Sequence, residues 1–241
     1  MTVRLLPVRH GRLAVCTAAA LVGCSGSAPT ASLFPLEPGR RWVYAVTAVW
    51  ENQTSERDQR VIVTRGEADV PQGGKAWVRR SEDGVEWFLR ADATGVFRVA
   101  SRTDLEAEPT ADPSPRYVLK APIAAGTQWQ ATTAPYLLRR RAEFPPEIRH
   151  THPAVNMSYT IESVEESVQT RAGEFKRCVK VLGQATLRLF ADPVSGWRDM
   201  PLTTTEWYCH GPGLVKIVRE EPAQSAFLTG GTMTLELIEW K

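Results

Sequence analysis

The chain is poor in the residue types from which catalytic sites are most often built. It has four cysteines and four histidines among 241 residues. It also lacks a Gly-x-Ser-x-Gly elbow, a glycine-rich phosphate loop and a His-Glu-x-x-His pair. Each of those motifs holds a nucleophile, a phosphate or a metal in a defined geometry. Without them the sequence predicts a protein that binds or assembles, not an enzyme, and it indicates no cofactor.

Neither sign of charge is in large excess. The 29 basic and 27 acidic residues give a formal net charge of +2. Three of the basic residues, Arg4, Arg9 and Arg12, lie in the first 23 residues, which contain no acidic residue, so removal of that segment leaves 26 basic against 27 acidic residues. Because nucleic-acid binding needs a clearly basic surface, we expect no nucleic-acid partner.

No apolar run is long enough to span a bilayer, which takes about 20 residues. The short apolar stretch 13–22 follows the three arginines, as in a secretory signal peptide. Its last two residues, Leu21 and Val22, are followed by Gly23 and Cys24. This sequence resembles the lipobox of bacterial lipoproteins. The resemblance implies that residues 1–23 are a signal peptide and that Cys24 carries a lipid with palmitate-class acyl chains. A cleaved signal peptide beside an unrelated cysteine is the alternative.

The residues after the lipobox bear on location. Residues 24–33 are small and polar and predict a flexible tether between the lipid and a domain over residues 34–241. Ser25 stands where an aspartate would favour retention at the inner membrane, so the resemblance implies an outer-membrane lipoprotein that faces the periplasm. The expected partners are the membrane, through Cys24, and an envelope protein or a hydrophobic ligand.

Two cysteines remain once Cys16 has left with the signal peptide and Cys24 is acylated. In an exported chain, Cys178 and Cys209 predict one disulfide, with free thiols or a metal pair as alternatives. Strand alternation places Cys178 on the same face as Lys176 and Lys180. A bridge would therefore need a bulge or a sheet edge.

Short runs of β-branched and aromatic residues alternate with Gly, Pro, Asn and Asp clusters along the chain. They predict an all-β, mainly antiparallel fold with few short helices, arranged as a single curved sheet, half-barrel or sandwich. A spaced proline, glycine and tryptophan recur at an offset of 87 residues, which favours two related halves, residues 34–101 and 119–241, joined by a linker over 102–118. Two unrelated strands that follow similar turns would give the same pattern. The recurring residues are Pro35, Gly39 and Trp42, then Pro122, Gly126 and Trp129.

Three motifs resemble a group of bacterial lipoproteins of unassigned activity. They run from Phe34 to Trp42, from Gly173 to Cys178 and from Trp207 to Val215. The resemblance implies a curved antiparallel sheet, similar to lipoprotein carriers of the LolA and LolB type, and it implies no reaction. A concave sheet with aromatic residues could hold an acyl chain, so a carrier of a lipid or hydrophobic ligand is an alternative function.

Residues 135–153 form an insertion that contains the remaining polar candidates. His150 and His152 could hold a zinc ion with Glu143 or Glu147, which would make a metal-assisted hydrolase the rival function, with His210 as a further candidate. A solvated polar loop is the simpler interpretation. The basic run 139–141 could bind anionic lipid headgroups, or it could be a solvated loop.

The lipobox predicts the effect of one substitution. Cys24→Ala should remove acylation and shift the protein from the membrane to the soluble fraction, because a single cysteine carries the whole anchor. Cys16→Ala is the matched control, since Cys16 lies within the cleaved segment. Metabolic labelling with a fatty acid and detergent partitioning measure both. A Cys24→Ala protein that still partitions like the wild type would refute the lipoprotein interpretation.

Overall fold

The computed structural model describes residues 32–140, 154–225 and 228–241, and these residues are almost entirely strand. The one helical piece in this part of the chain is a turn at residues 32 and 33. The predicted all-β, antiparallel fold class is confirmed. In chain order the strands are β1 (Arg41–Trp50), β2 (Ser55–Asp69), β3 (Lys75–Ser81), β4 (Glu86–Asp92), β5 (Gly95–Arg102), β6 (Thr110–Lys120), β7 (Gln128–Thr133), β8 (Arg139–Arg140), β9 (Val155–Thr170), β10 (Gly173–Asp192), β11 (Gly196–Cys209), β12 (Gly213–Glu221), β13 (Leu228–Thr229) and β14 (Gly231–Trp240).

Twelve of these strands form a single curved sheet in the order β6-β5-β4-β3-β2-β1-β14-β12-β11-β10-β9-β7. The order contains two six-stranded meanders that meet where β1 pairs antiparallel with β14. The two end strands, β6 and β7, contact each other, so the sheet curves until it is nearly closed. Strands β8 and β13 pair separately as a small second sheet.

The two meanders begin with the same backbone arrangement. The N–H of Gly39 donates to Thr64 O over 2.9 Å, and the N–H of Gly126 donates to Ile161 O over 2.8 Å. Both glycines have positive φ, +83° and +89°, a conformation that side chains resist. In each case the tryptophan three residues later is the second residue of the first strand of its meander. This shared arrangement supports the predicted relation between the halves 34–101 and 119–241, which stays a prediction.

The predicted linker over residues 102–118 is wrong. Residues 110–120 form β6, the sixth strand of the first meander, so the first half extends to Lys120. Pro113 and Pro115 led to the wrong assignment, because proline cannot donate to a ladder. Here both lie where residues 112–115 bulge away from β5, at the end of the sheet, and this is a position where proline is tolerated.

The packed domain also begins earlier than predicted. Leu33, the last residue of the predicted tether 24–33, is 2% exposed and belongs to the largest apolar cluster. That cluster takes side chains from both meanders, among them Leu89 and Leu119 from the first and Met157 and Leu202 from the second. The two halves therefore share one interior.

The predicted disulfide is present. Cys178 on β10 and Cys209 on β11 lie on neighbouring strands with a Cα–Cα distance of 4.2 Å, and both are buried. The expected bulge is also present, because Arg177 has a φ of 54° and the β9–β10 register shifts on both sides of Cys178. This irregularity turns Cys178 into a buried apolar cluster with Trp42 and Leu237.

Removal of the bridge should cost substantial stability. The cysteines are 31 residues apart, and a closed loop of that size contributes about 3–4 kcal/mol in the chain-entropy model. We expect Cys178→Ala with Cys209→Ala to lower the melting temperature by on the order of 10 °C. Reductant should destabilise the wild type and leave the double variant unchanged. A double variant that melts with the wild type would contradict this role.

Candidate ligand cavity

The N-terminal segment of the domain packs against the sheet and helps to form one end of a cavity. The N–H of Gly211 donates to Ser32 O over 3.0 Å, and the Phe34 ring lies 6.2 Å from the Tyr208 ring. Gly213 permits this close approach, because a Cβ there would lie 2.9 Å from Pro35 Cδ and 3.1 Å from Leu33 O. Phe34 and Pro35 therefore pack against the second meander.

The concave face of the sheet encloses a cavity of about 260 Å³. Nine strands from both meanders contribute to its lining, so it is the interior of the nearly closed sheet. Small-molecule sites in proteins are typically apolar clefts of this kind with a few polar groups. Most of the lining is apolar or aromatic, and the charged part consists of four arginines. The apolar and aromatic residues are Phe34, Tyr44, Ile62, Trp87, Leu89, Val118, Tyr136, Tyr208, Leu214, Ile217 and Leu235; the arginines are Arg60, Arg79, Arg98 and Arg116.

Arg79 is the most deeply buried of these cations, with 6% exposure. Its guanidinium lies 3.7 Å from the centre of the Phe34 ring and 4.3 Å from that of Trp42, and Nη2 donates to Pro35 O over 2.6 Å. Its Nε is buried and has no hydrogen-bond partner among the described residues. Burial lowers the pKa of Arg79 to about 10, against the smaller opposing influence of Tyr44, Tyr208 and Glu37. The group stays charged at neutral pH.

Two further arginines face each other across neighbouring strands. Arg98 on β5 is the Cα partner of Arg116 on β6. Like charges at directly opposed positions destabilise a sheet. Arg98 is compensated by Asp112, which accepts two bonds of 2.6 and 2.7 Å. Arg116 instead donates from Nε to the backbone oxygen of Thr132 over 2.6 Å.

That last bond crosses the gap between the two ends of the sheet. Pro113 and Pro115 hold part of β6 away from the ladder, and a crevice of about 410 Å³ opens beside them towards β7. Arg98 and Arg116 line both this crevice and the interior cavity. These two side chains therefore stand between the cavity and the outside surface.

A carboxyl group lies close to the aromatic wall of the cavity. The Tyr208 hydroxyl donates to Glu206 Oε2, and the Thr204 hydroxyl lies 3.5 Å from Oε1. Burial raises the pKa of Glu206, although the bond from Tyr208 and the nearby Arg116 and Arg219 oppose that rise. Burial likewise raises the pKa of Tyr208 well above its ordinary value. Glu206 lies beside the cavity but is not among its lining residues.

A buried ion pair fixes the loop that carries Tyr136. The Arg219 Nε and Glu221 Oε1 atoms are 2.5 Å apart, and both side chains are almost fully buried. Glu221 also accepts hydrogen bonds from the backbone N–H groups of Tyr136, Leu137 and Leu138 at 2.7 to 3.1 Å. A carboxylate that binds three successive amides holds that backbone rigidly. Tyr136, which is 51% exposed, is thereby fixed at the rim of the cavity.

Of the site residues predicted from the sequence, those that the structure describes, Cys178, Cys209 and His210, do not line this cavity. Cys24, His150, His152, Glu143 and Glu147 lie outside the described residues, as does position 141 of the basic run. His210 is exposed, and its Nδ1 is 2.7 Å from the Ser32 hydroxyl. In the described part of the chain no group of three or more His, Cys, Asp or Glu is placed to hold a metal ion. Residues 32–140, 154–225 and 228–241 also contain no helix long and apolar enough to cross a membrane.

Sequence reasoning missed the arginines of the cavity. A signal was present, because Arg98 interrupts the apolar run from Val96 to Ala100, and Arg79 directly follows the apolar residues Ala76, Trp77 and Val78. A cation in such a strand has to point either to solvent or into an interior. Only the curvature of the sheet decides between the two.

Comparison with known proteins adds two remote structural similarities. A candidate lipoprotein from Parabacteroides distasonis shares 16% identity with a TM-score of 0.39, and the match covers 87% of this chain and 98% of that one. A candidate exported protein with a YmcC-like fold from Bacteroides fragilis shares 14% identity with a TM-score of 0.38, over 85% and 96% of the two chains. Neither similarity is strong enough to support an argument about function. No family model and no curated protein matches the chain.

The environment of Glu206 predicts a pH-dependent stability. A carboxyl group whose pKa is raised by folding stabilises the fold below its ordinary pKa of 4.5, and that contribution is lost as the pH rises through the folded-state value. Glu206→Gln keeps an acceptor for Tyr208 and has no charge to bury. The stability of this variant relative to the wild type should therefore increase as the pH is raised from about 4.5 towards neutrality.

Chemical denaturation at several pH values measures this difference. The exposed Glu220, on the neighbouring strand β12, provides the control Glu220→Gln. A difference between Glu206→Gln and the wild type that stays constant with pH, or falls as pH rises, would show that burial does not dominate at this carboxyl group.

Proposed function

We propose that the protein is a non-catalytic lipoprotein of the cell envelope that binds a small, largely apolar ligand in the interior of its sheet. The cavity supports this most directly, because nine strands contribute to a lining dominated by apolar and aromatic side chains. An interior of this type favours ligands that are poorly soluble in water. The ligand-binding role is the carrier function considered from the sequence.

The proposed location follows from the lipobox. Acylation of Cys24 would anchor the chain, and Ser25 favours the outer membrane over the inner one. Several acyl chains give a stable anchor, whereas one chain binds only marginally. A tethered binding domain would then exchange a hydrophobic ligand close to the membrane surface.

The crevice between β6 and β7 is the proposed route to the cavity. It is lined by two residues that also line the cavity, and one of them, Arg116, bridges the gap through a single side-chain bond to Thr132 O. Breaking one such bond is far easier than separating paired strands. The ligand would pass between the ends of the sheet without disturbing either meander.

The assembly role is the second candidate, and the hairpin of β10 and β11 is the observation in its favour. The two strands are long, and Val194 and Trp197 at their turn are 96% and 60% exposed. Exposed aromatic residues are common at protein interfaces. For the metal-assisted hydrolase, the described residues provide no supporting arrangement, and His150 and His152 lie outside them.

Filling the cavity should separate these functions. Val118 is half-buried and lines the cavity, so Val118→Trp should occupy space that a ligand needs. We expect it to reduce binding of the uncharged fluorophore N-phenylnaphthylamine by about tenfold or more, equivalent to about 1.4 kcal/mol or more of lost binding energy. The protein would be the full chain in phosphatidylcholine nanodiscs, with the signal of empty nanodiscs subtracted.

Val49→Trp provides the matched control, because Val49 is 46% exposed on β1. It should bind the fluorophore like the wild type. If neither the wild type nor any variant binds the fluorophore above the empty nanodiscs, the ligand-binding proposal is wrong and the assembly role becomes the better explanation. Equal binding by Val118→Trp and the wild type would place the ligand elsewhere.

A further inference from the structure

The charge of the cavity lining is strongly one-sided. Its described residues include four arginines and no aspartate or glutamate. Arg98 has Asp112 as a partner, but Arg60, Arg79 and Arg116 form no salt bridge with a carboxylate in the described part of the chain. Cations in an interior are costly unless an opposite charge compensates them. Within the lining itself, no carboxylate compensates Arg60, Arg79 or Arg116.

Two details show that this charge is built into the interior and is not merely solvated at its surface. Arg79 is 6% exposed, its guanidinium packs on two aromatic rings, and its Nε lacks a partner. Arg116 lies directly opposite Arg98 on the next strand, and Asp112, the carboxylate at this pair, binds Arg98. A ligand with negatively charged oxygens would compensate the cations that line the cavity.

The rest of the lining indicates the chemical character of the other end of the ligand. Trp87, Leu89, Val118 and Ile217 line the same cavity and offer a largely apolar surface. Because cationic and apolar surfaces meet in one cavity of about 260 Å³, a free inorganic anion would leave most of that space unfilled. A neutral hydrocarbon would leave the arginines uncompensated.

We infer that the ligand is an anionic amphiphile, with a carboxylate or phosphate head bound by the arginines and an aliphatic tail against the apolar wall. This inference rests on the proposed ligand-binding function and specifies its ligand class. Planar guanidinium groups suit such heads because they donate two parallel bonds to carboxylate or phosphate oxygens. Arg116, at the crevice, is the first cation that an incoming head would meet.

Calorimetric titration of the full chain in phosphatidylcholine nanodiscs tests the head group. The probes are decanoate, decyl phosphate, decanol and decyltrimethylammonium, which share a tail, together with inorganic phosphate and acetate, which have none. Empty nanodiscs provide the baseline. We expect decanoate or decyl phosphate to bind at least about tenfold more tightly than decanol, as charge-assisted hydrogen bonds would give. The tighter of the two identifies the head as carboxylate or phosphate.

Arg116→Gln and Arg60→Gln identify the residues. Each should weaken binding of the anionic probes about tenfold more than it weakens binding of decanol and N-phenylnaphthylamine. Retained binding of the neutral probes shows that the cavity is intact, so a misfolded variant cannot produce this pattern. Arg65→Gln is the matched control, because Arg65 is exposed on the same strand as Arg60. It should bind every probe like the wild type.

The outcomes separate this inference from the function on which it rests. Equal binding of decanoate, decyl phosphate and decanol would refute the anionic head and preserve the hydrophobic cavity. Tighter binding of decyltrimethylammonium would also refute it. Binding of inorganic phosphate as tight as that of decyl phosphate would refute the amphiphile in favour of a free anion. Failure of every probe, N-phenylnaphthylamine included, would refute the ligand-binding function itself.

Discussion

The buried cation of Arg79 is the constraint around which this fold is arranged. Its side chain starts on β3, lies against the rings of Phe34 and Trp42, and donates to the backbone of Pro35. Contact with an aromatic face stabilises a desolvated cation by about 2 kcal/mol, which offsets only part of the cost of burying it. The N-terminal segment, the first strand and the cavity wall therefore depend on one charged group. Its charge is one of the four arginine charges in the lining of the cavity.

The two-meander architecture explains how such an interior can exist in a chain of this size. Each meander alone would leave one apolar face exposed, and joining them through β1 and β14 lets both faces line the same space. The ends, β6 and β7, approach without forming a complete ladder, because the prolines of β6 and its bulge prevent regular pairing. The gap is stabilised by side chains instead, and the ion pair of Arg219 and Glu221 fixes the neighbouring loop at residues 136–138. A cavity with rigid walls and one weakly bonded boundary, between β6 and β7, is suited to taking up a ligand.

Much of this fold was predictable, because it depends on local signals. Strand alternation, turn residues and the repeated glycine and tryptophan indicated an antiparallel sheet in two halves, and two cysteines in an exported chain indicated their bridge. The predicted linker was wrong because proline disfavours a strand in the interior of a sheet but is tolerated at its edge, where Pro113 and Pro115 lie. The cavity was only partly predictable. Aromatic residues suggested a concave surface, but whether Arg79, Arg98 and Arg116 face solvent or the interior depends on the curvature of twelve strands, which no short stretch of sequence specifies.

The central claim is that the interior holds an anionic amphiphile, and the natural ligand tests it most directly. The full chain would be extracted from its own membranes in a mild non-ionic detergent and analysed by native mass spectrometry. The account predicts a stoichiometric adduct that denaturation releases as a molecule with a carboxylate or phosphate group and an aliphatic tail, and that is depleted in Arg116→Gln. An adduct that is neutral or cationic, or a wild-type protein without any adduct under conditions that retain added decanoate or decyl phosphate, would contradict the account.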